Sequence, residues 1–81
     1  SWKDLHTPGH TKGSVCYYNE KEKILVSGDT IFYHSWGRTD FPGGSEAEMN
    51  KSLERIYSTL PKDVLVYPGH EYAGFPLGEN L

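Results

Sequence analysis

Apolar positions along this 81-residue chain fall into short bursts and one longer stripe. Residues 2 to 6 set Trp2, Asp4 and His6 against Lys3 and Leu5, a weak period of two that predicts a strand running into the Thr7-Pro8-Gly9 corner. Ser14 to Asn19 is rich in β-formers and ends on polar turn residues, which predicts a second strand. Ile24-Leu25-Val26-Ser27 follows the mixed-sign turn Glu20-Lys21-Glu22-Lys23 and stops at Gly28-Asp29, so it reads as a buried strand closing a hairpin with its predecessor. Thr30 to Tyr33 is read as its continuation. Asp63 to Tyr67 predicts the last strand, which delivers Pro68-Gly69-His70.

The stripe lies between them. Ser45-Glu46-Ala47-Glu48 has the form of a capping box, in which the Ser hydroxyl and the Glu three residues on each satisfy a free backbone donor of the other. Met49, Leu53, Ile56, Tyr57 and Leu60 then recur at helical period, with Asn50, Lys51, Glu54 and Arg55 outward, until Pro61 ends the helix. From His34 to Gly44 the composition turns to Ser, Gly, Thr, Asp and Pro around Trp36 and Phe41, which predicts a long structured loop. The plain expectation there is that the two aromatics pin the loop to the core while Arg38 and Asp40 pair. Glu71 to Leu81 reads as loop.

Composition narrows the classes. A chain of 81 residues builds one domain with a thin core. Its net charge of −3, without a basic cluster, excludes a nucleic-acid footprint. The apolar runs fall far short of the roughly 20 residues a membrane helix needs, and the start does not resemble a signal peptide. The expectation is a soluble, cytoplasmic protein with no nucleic-acid or membrane partner. The single cysteine, Cys16, cannot form an internal disulfide and reads as a small packed hydrophobe. Ser1 in place of Met, at the edge of a strand, suggests a piece of something longer.

Candidate chemistry sits at the strand ends. His6-Thr7-Pro8-Gly9-His10 places two imidazoles beside a corner in which Pro fixes φ and Gly frees it. The same Pro-Gly-His wording returns at 68–70, and Gly28-Asp29 ends a third apolar run. Taken singly, each residue has a plainer explanation as a turn former. Taken together, His10, Asp29 and His70 are the neutral-imidazole and carboxylate donors that a catalytic zinc uses. A carboxylate has two oxygens, so Asp29 could touch two ions.

Four segments in this order, His6-Thr7-Pro8-Gly9-His10-Thr11-x-Gly13-Ser14, Ser27-Gly28-Asp29-Thr30-Ile31-Phe32, Gly37 to Gly44 and Tyr67-Pro68-Gly69-His70-Glu71, resemble the later motifs of the metallo-β-lactamase superfamily. Within it they are most similar to the glyoxalase II (hydroxyacylglutathione hydrolase) type. The resemblance implies an α/β fold, part of an αββα sandwich, with the second-half sheet and one main helix as a partial domain over residues 1–81. It implies His10 on a first zinc, Asp29 bridging, His70 on a second, and the Arg38–Asp40 loop bracing the site or meeting substrate. The activity implied for the longer parent is hydrolysis of a small-molecule thioester by a metal-bound hydroxide, with no catalytic residue assigned beyond the ligands. The superfamily's leading H-x-H-x-D-H motif is absent from this sequence, so the chain alone is expected to bind metal weakly and hydrolyse little. Two alternatives share these residues. One is an iron persulfide dioxygenase, in which His10 and Asp29 are ligands and His70 is not. The other is a non-catalytic assembly module whose bare helix face and strands drive self-association.

Overall fold

The computed structural model describes residues 2–81. In order, the described chain forms β1 (Trp2–His6), β2 (Val15–Asn19), β3 (Ile24–Gly28), β4 (Ile31–Phe32), β5 (Ser35–Trp36), α1 (Glu46–Thr59), β6 (Leu65–Pro68) and β7 (Phe75–Pro76), then a 3₁₀ turn over Leu77–Asn80. Five strands make one sheet in the order β1-β2-β3-β6-β7. The first three are antiparallel neighbours; β6 joins β3 in parallel, and β7 lies antiparallel at the far edge. A parallel neighbour requires a crossover, because a tight turn reverses the chain, and α1 supplies it.

The pleat separates the two faces of this sheet. Tyr18, Leu25, Val66 and Phe75 stand opposite one another across four strands and are all buried. α1 lays Ile56 on the same cluster, with Leu53, Tyr57 and Leu60 packed against its border. The next row, Asp4, Tyr17, Val26 and Tyr67, points the other way. Tyr17, Val26 and Tyr67 are 45%, 37% and 37% exposed. The bare apolar surface is therefore the second face of the sheet; the helix stripe, expected to be bare as well, is covered.

Four local readings are corrected. Thr30 to Tyr33 does not continue β3: Gly28 takes φ +53, the Thr30 N–H turns back to the Ser27 carbonyl at 2.9 Å, and Ile31–Phe32 pairs with Ser35–Trp36 in a separate hairpin. The structured loop consequently begins only after Trp36. The capping box is half formed: Ser45 Oγ accepts from the Glu48 N–H at 3.2 Å, but the Ser45 N–H donates to the Gly9 carbonyl at 2.8 Å, leaving Glu48 nothing to cap. The last segment is not simply loop. β7 pairs with β6, and Phe75 and Leu77 belong to the core. Among the described residues no helix is long and apolar enough to cross a membrane.

Candidate metal centre

Three corners meet at one end of the sheet. Asp29 leaves β3 through the Gly28 turn. The second Pro-Gly-His corner leaves the neighbouring β6 and docks beside it, the Gly69 N–H donating to the Gly28 carbonyl at 2.8 Å. After the β4–β5 hairpin, the Gly37 N–H donates to the Thr30 carbonyl at 3.0 Å. Gly37 lies so close under the Asp29 carbonyl that no Cβ fits there. The first corner is tied in through the buried Thr7, whose hydroxyl lies 3.4 Å from both Cys16 Sγ and Thr30 Oγ1.

These ties bring the three predicted ligands together. His10 Nε2 is 3.6 Å from Asp29 Oδ2, and His70 Nδ1 is 3.3 Å from Asp29 Oδ1. A carbonyl oxygen can only accept, so the 2.8 Å contact of His10 Nδ1 with the Arg38 carbonyl places the ring proton on Nδ1. In the neutral ring, Nε2 then presents a lone pair to a carboxylate oxygen. Two acceptors facing each other leave a place for a proton or a metal ion between them, and the donor types are those a metal ion takes. Among the described residues no three His, Cys, Asp or Glu side chains close around one point. The arrangement is two pairs sharing Asp29, one oxygen to each imidazole.

His6 stands apart from this. Its Nε2–H donates to the Lys12 carbonyl at 2.8 Å, a bond that spans the turn after the corner. Arg38 and Asp40 form the two-pronged pair expected of them, at 3.0 and 2.8 Å. The hydrogen bond from Arg38 holds the Asp40 carboxyl below its ordinary range. The contribution of Arg38 to His10 comes through its backbone carbonyl, while its guanidinium lies 4.5 Å over the Phe41 ring. Trp36 and Phe41 do not pin the loop to the core: they are 57% and 45% exposed. With Phe32 they form the apolar wall of an open cleft of about 420 Å³ that also contains His10, Asp29 and His70. Cys16 is buried and outside the cleft, where it packs in the core, and burial pushes its thiol up.

Sequence reasoning missed the groups that hold the candidate ligands. Gly37 carries no chemistry in its type, and the Arg38 carbonyl is a group every residue has. Asn80 is a further case: its side chain donates to the Phe32 carbonyl at 2.8 Å and accepts from the His34 N–H at 2.8 Å, fastening the β4–β5 hairpin under the cleft. With Glu79 beside it, nothing in the terminal segment marks Asn80 in advance.

The comparisons with known proteins agree with this architecture. A probable hydroxyacylglutathione hydrolase of Schizosaccharomyces pombe is 44% identical over 70 residues, 84% of this chain and 27% of the relative. The mitochondrial persulfide dioxygenase ETHE1 of Homo sapiens is 38% identical over 69 residues, 85% of this chain and 27% of that protein. Among solved structures, TTHA1623 in a di-iron-bound form superposes with a TM-score of 0.90 at 38% identity, over 96% of this chain and 38% of that one. The chain thus spans about a third of the length of the relatives it matches. The family model of the metallo-beta-lactamase superfamily matches residues 1–70. With that match laid over a mixed sheet and helix that carry the three corners at one end, the chain belongs to the metallo-beta-lactamase superfamily.

Proposed function

We propose that this chain is part of a metal-dependent hydrolase of hydroxyacylglutathione-type thioesters, working with two zinc ions. The observation that carries the reading is Asp29, with each carboxylate oxygen turned to a different imidazole. His10 would hold one ion, His70 the other, and Asp29 would serve both; the remaining ligands would come from the length of the relatives that this chain does not span. Such a metal pair supplies Lewis acidity and lowers the pKa of water. The chain's own residues do narrower things. The Arg38 carbonyl keeps the His10 lone pair aimed at the cleft. Phe32, Trp36 and Phe41 offer an apolar wall to an acyl group and shed water from it. The Arg38–Asp40 pair stiffens the loop that carries both Phe41 and that carbonyl.

The persulfide dioxygenase reading is the alternative, supported by the human relative. It uses His10 and Asp29 on one iron and leaves His70 idle, which the 3.3 Å approach of His70 to Asp29 disfavours. Metal analysis of the longer protein separates the two. Two ions per chain together with thioester hydrolysis is the expected result; one iron with persulfide oxidation overturns it.

For the 81-residue chain alone, three side-chain ligands divided between two ions leave neither with the four a stable zinc site needs. Calorimetric titration with zinc is expected to show weak uptake and assays little turnover. Tight, stoichiometric binding would contradict this. The sheet face carrying Tyr17, Val26 and Tyr67 is proposed to drive self-association of the isolated chain. A compact monomer by light scattering counts against that.

A further inference from the structure

The structure assigns Ser52, which lies outside every motif at the three corners, the role of positioning residue for His10; the inference rests on His10 being a metal ligand. Ser52 sits on α1 between Met49 and Ile56, on the stripe that faces the core, and is 5% exposed. A serine inside a helix commonly returns its hydroxyl to the carbonyl one turn back. Ser52 Oγ donates instead to the Pro8 carbonyl at 2.8 Å, across 44 residues of chain.

Its neighbours on α1 grip the same corner. At the start of the helix the Ser45 N–H holds the Gly9 carbonyl at 2.8 Å. One turn beyond Ser52, the Arg55 guanidinium donates to the His6 carbonyl. One helix therefore holds the carbonyls of His6, Pro8 and Gly9, the peptide units that lead into His10. The Arg55 bond is exposed, so water can replace it; the Ser52 bond is part-buried, on a serine only 5% exposed, so its loss is the harder of the two for solvent to make good. Proline keeps the Pro8 unit rigid, so a displacement there passes to Gly9, whose freedom in φ converts it into a change of direction for the His10 ring. Ser52 acts on the ligand without touching it, as residues behind metal-bound imidazoles do.

The test compares Ser52→Ala with Ile56→Val in the longer protein, which supplies the remaining ligands. Ile56→Val removes one methylene from the core cluster, which supplies a loss of stability without touching the corner. Cobalt(II) is the probe, followed by its visible spectrum, and the ¹⁵N shifts of the His10 imidazole are read in the metal-free chain. Ser52→Ala is expected to weaken cobalt affinity about tenfold and to disturb the His10 nitrogen pattern set by the Arg38 carbonyl, with Ile56→Val doing neither at a similar fall in Tm. If the two variants lose affinity in step with Tm and leave the His10 shifts alone, Ser52 is only structural and the inference is overturned. If the unaltered longer protein shows no cobalt spectrum at all, the ligand reading of His10 falls. Positioning is then decided by the imidazole shifts alone, where an undisturbed pattern in Ser52→Ala overturns it and a disturbed one supports it.

Discussion

The two Pro-Gly-His corners share three residues and almost nothing else. At the first, His10 is 19% exposed, its Nδ1–H is fixed on the Arg38 carbonyl, and the ring meets Phe41 edge-on. At the second, His70 is 61% exposed and rests against Phe32, with Glu71 beyond it at φ +67. The first corner is packed under α1; the second continues β6 at the sheet's end, with Pro68 paired to Gly28 and the Gly69 N–H on the Gly28 carbonyl. An identical tripeptide thus holds its imidazole fixed in one place and leaves it adjustable in the other. The difference lies in what the rest of the chain puts behind it.

The sharpest way to break this comparison is to give each glycine a methyl group. At Gly9 a Cβ would lie 2.5 Å from Met49 Cα, backbone that cannot yield, and φ is +148. Gly9→Ala is expected to cost about 3 kcal/mol, a large share of the stability of so small a domain. At Gly69 the nearest atom is Asp29 Oδ1 at 3.3 Å, a side-chain oxygen that can swing aside. Gly69→Ala is expected to stay within about 1 kcal/mol. Thermal unfolding by circular dichroism measures both, and equal losses would show that the corners are held alike.

The histidines themselves come next in size. His10→Ala removes a 2.8 Å hydrogen bond to the loop after β5 and is expected to destabilise the metal-free chain by about 1 kcal/mol. His70→Ala removes an exposed ring and is expected to change stability by no more than about 0.5 kcal/mol. Urea denaturation without metal separates them. A His70 variant as costly as the His10 one would mean that the second corner is prebuilt too.

This asymmetry marks where reading the sequence stops. His10, Asp29 and His70 stood out because Pro and Gly punctuate the chain beside them, and β2, β3 and α1 because burial on one face imposes a period. β7 escaped because Phe75–Pro76 is too short to show a period, and its proline is tolerated only because it lies at an edge. The β4–β5 hairpin escaped because Thr30 to Tyr33 is apolar enough to pass for more of β3. What holds His10 was hidden for a deeper reason. It is a backbone carbonyl 28 residues away, and no choice of side chain advertises a carbonyl. Ser52 interrupts an apolar stripe, a faint signal that becomes legible only once the Pro8 carbonyl is seen above it.

The smallest expected effect tests whether the brace on His10 extends beyond that carbonyl. Arg38 donates to Asp40 with two nitrogens, and this hydrogen bond, ahead of charge attraction, lowers the Asp40 carboxyl pKa. A carboxyl with a lowered folded pKa contributes its full stability above the unfolded value, near about 3.9, and loses it as pH falls through the lowered folded value. Both partners are open to solvent, so the effect is slight and fades with salt. An NMR titration is expected to show the Asp40 carboxyl and the Arg38 Nε–H moving together in that acid window, with Asp40→Asn abolishing the step. If the loop is one stiff unit, Asp40→Asn also loosens the His10 Nδ1–H resonance at neutral pH and leaves the His70 ring untouched. A response at His70 of the same size would tie the two corners together through the loop and erase the distinction between them.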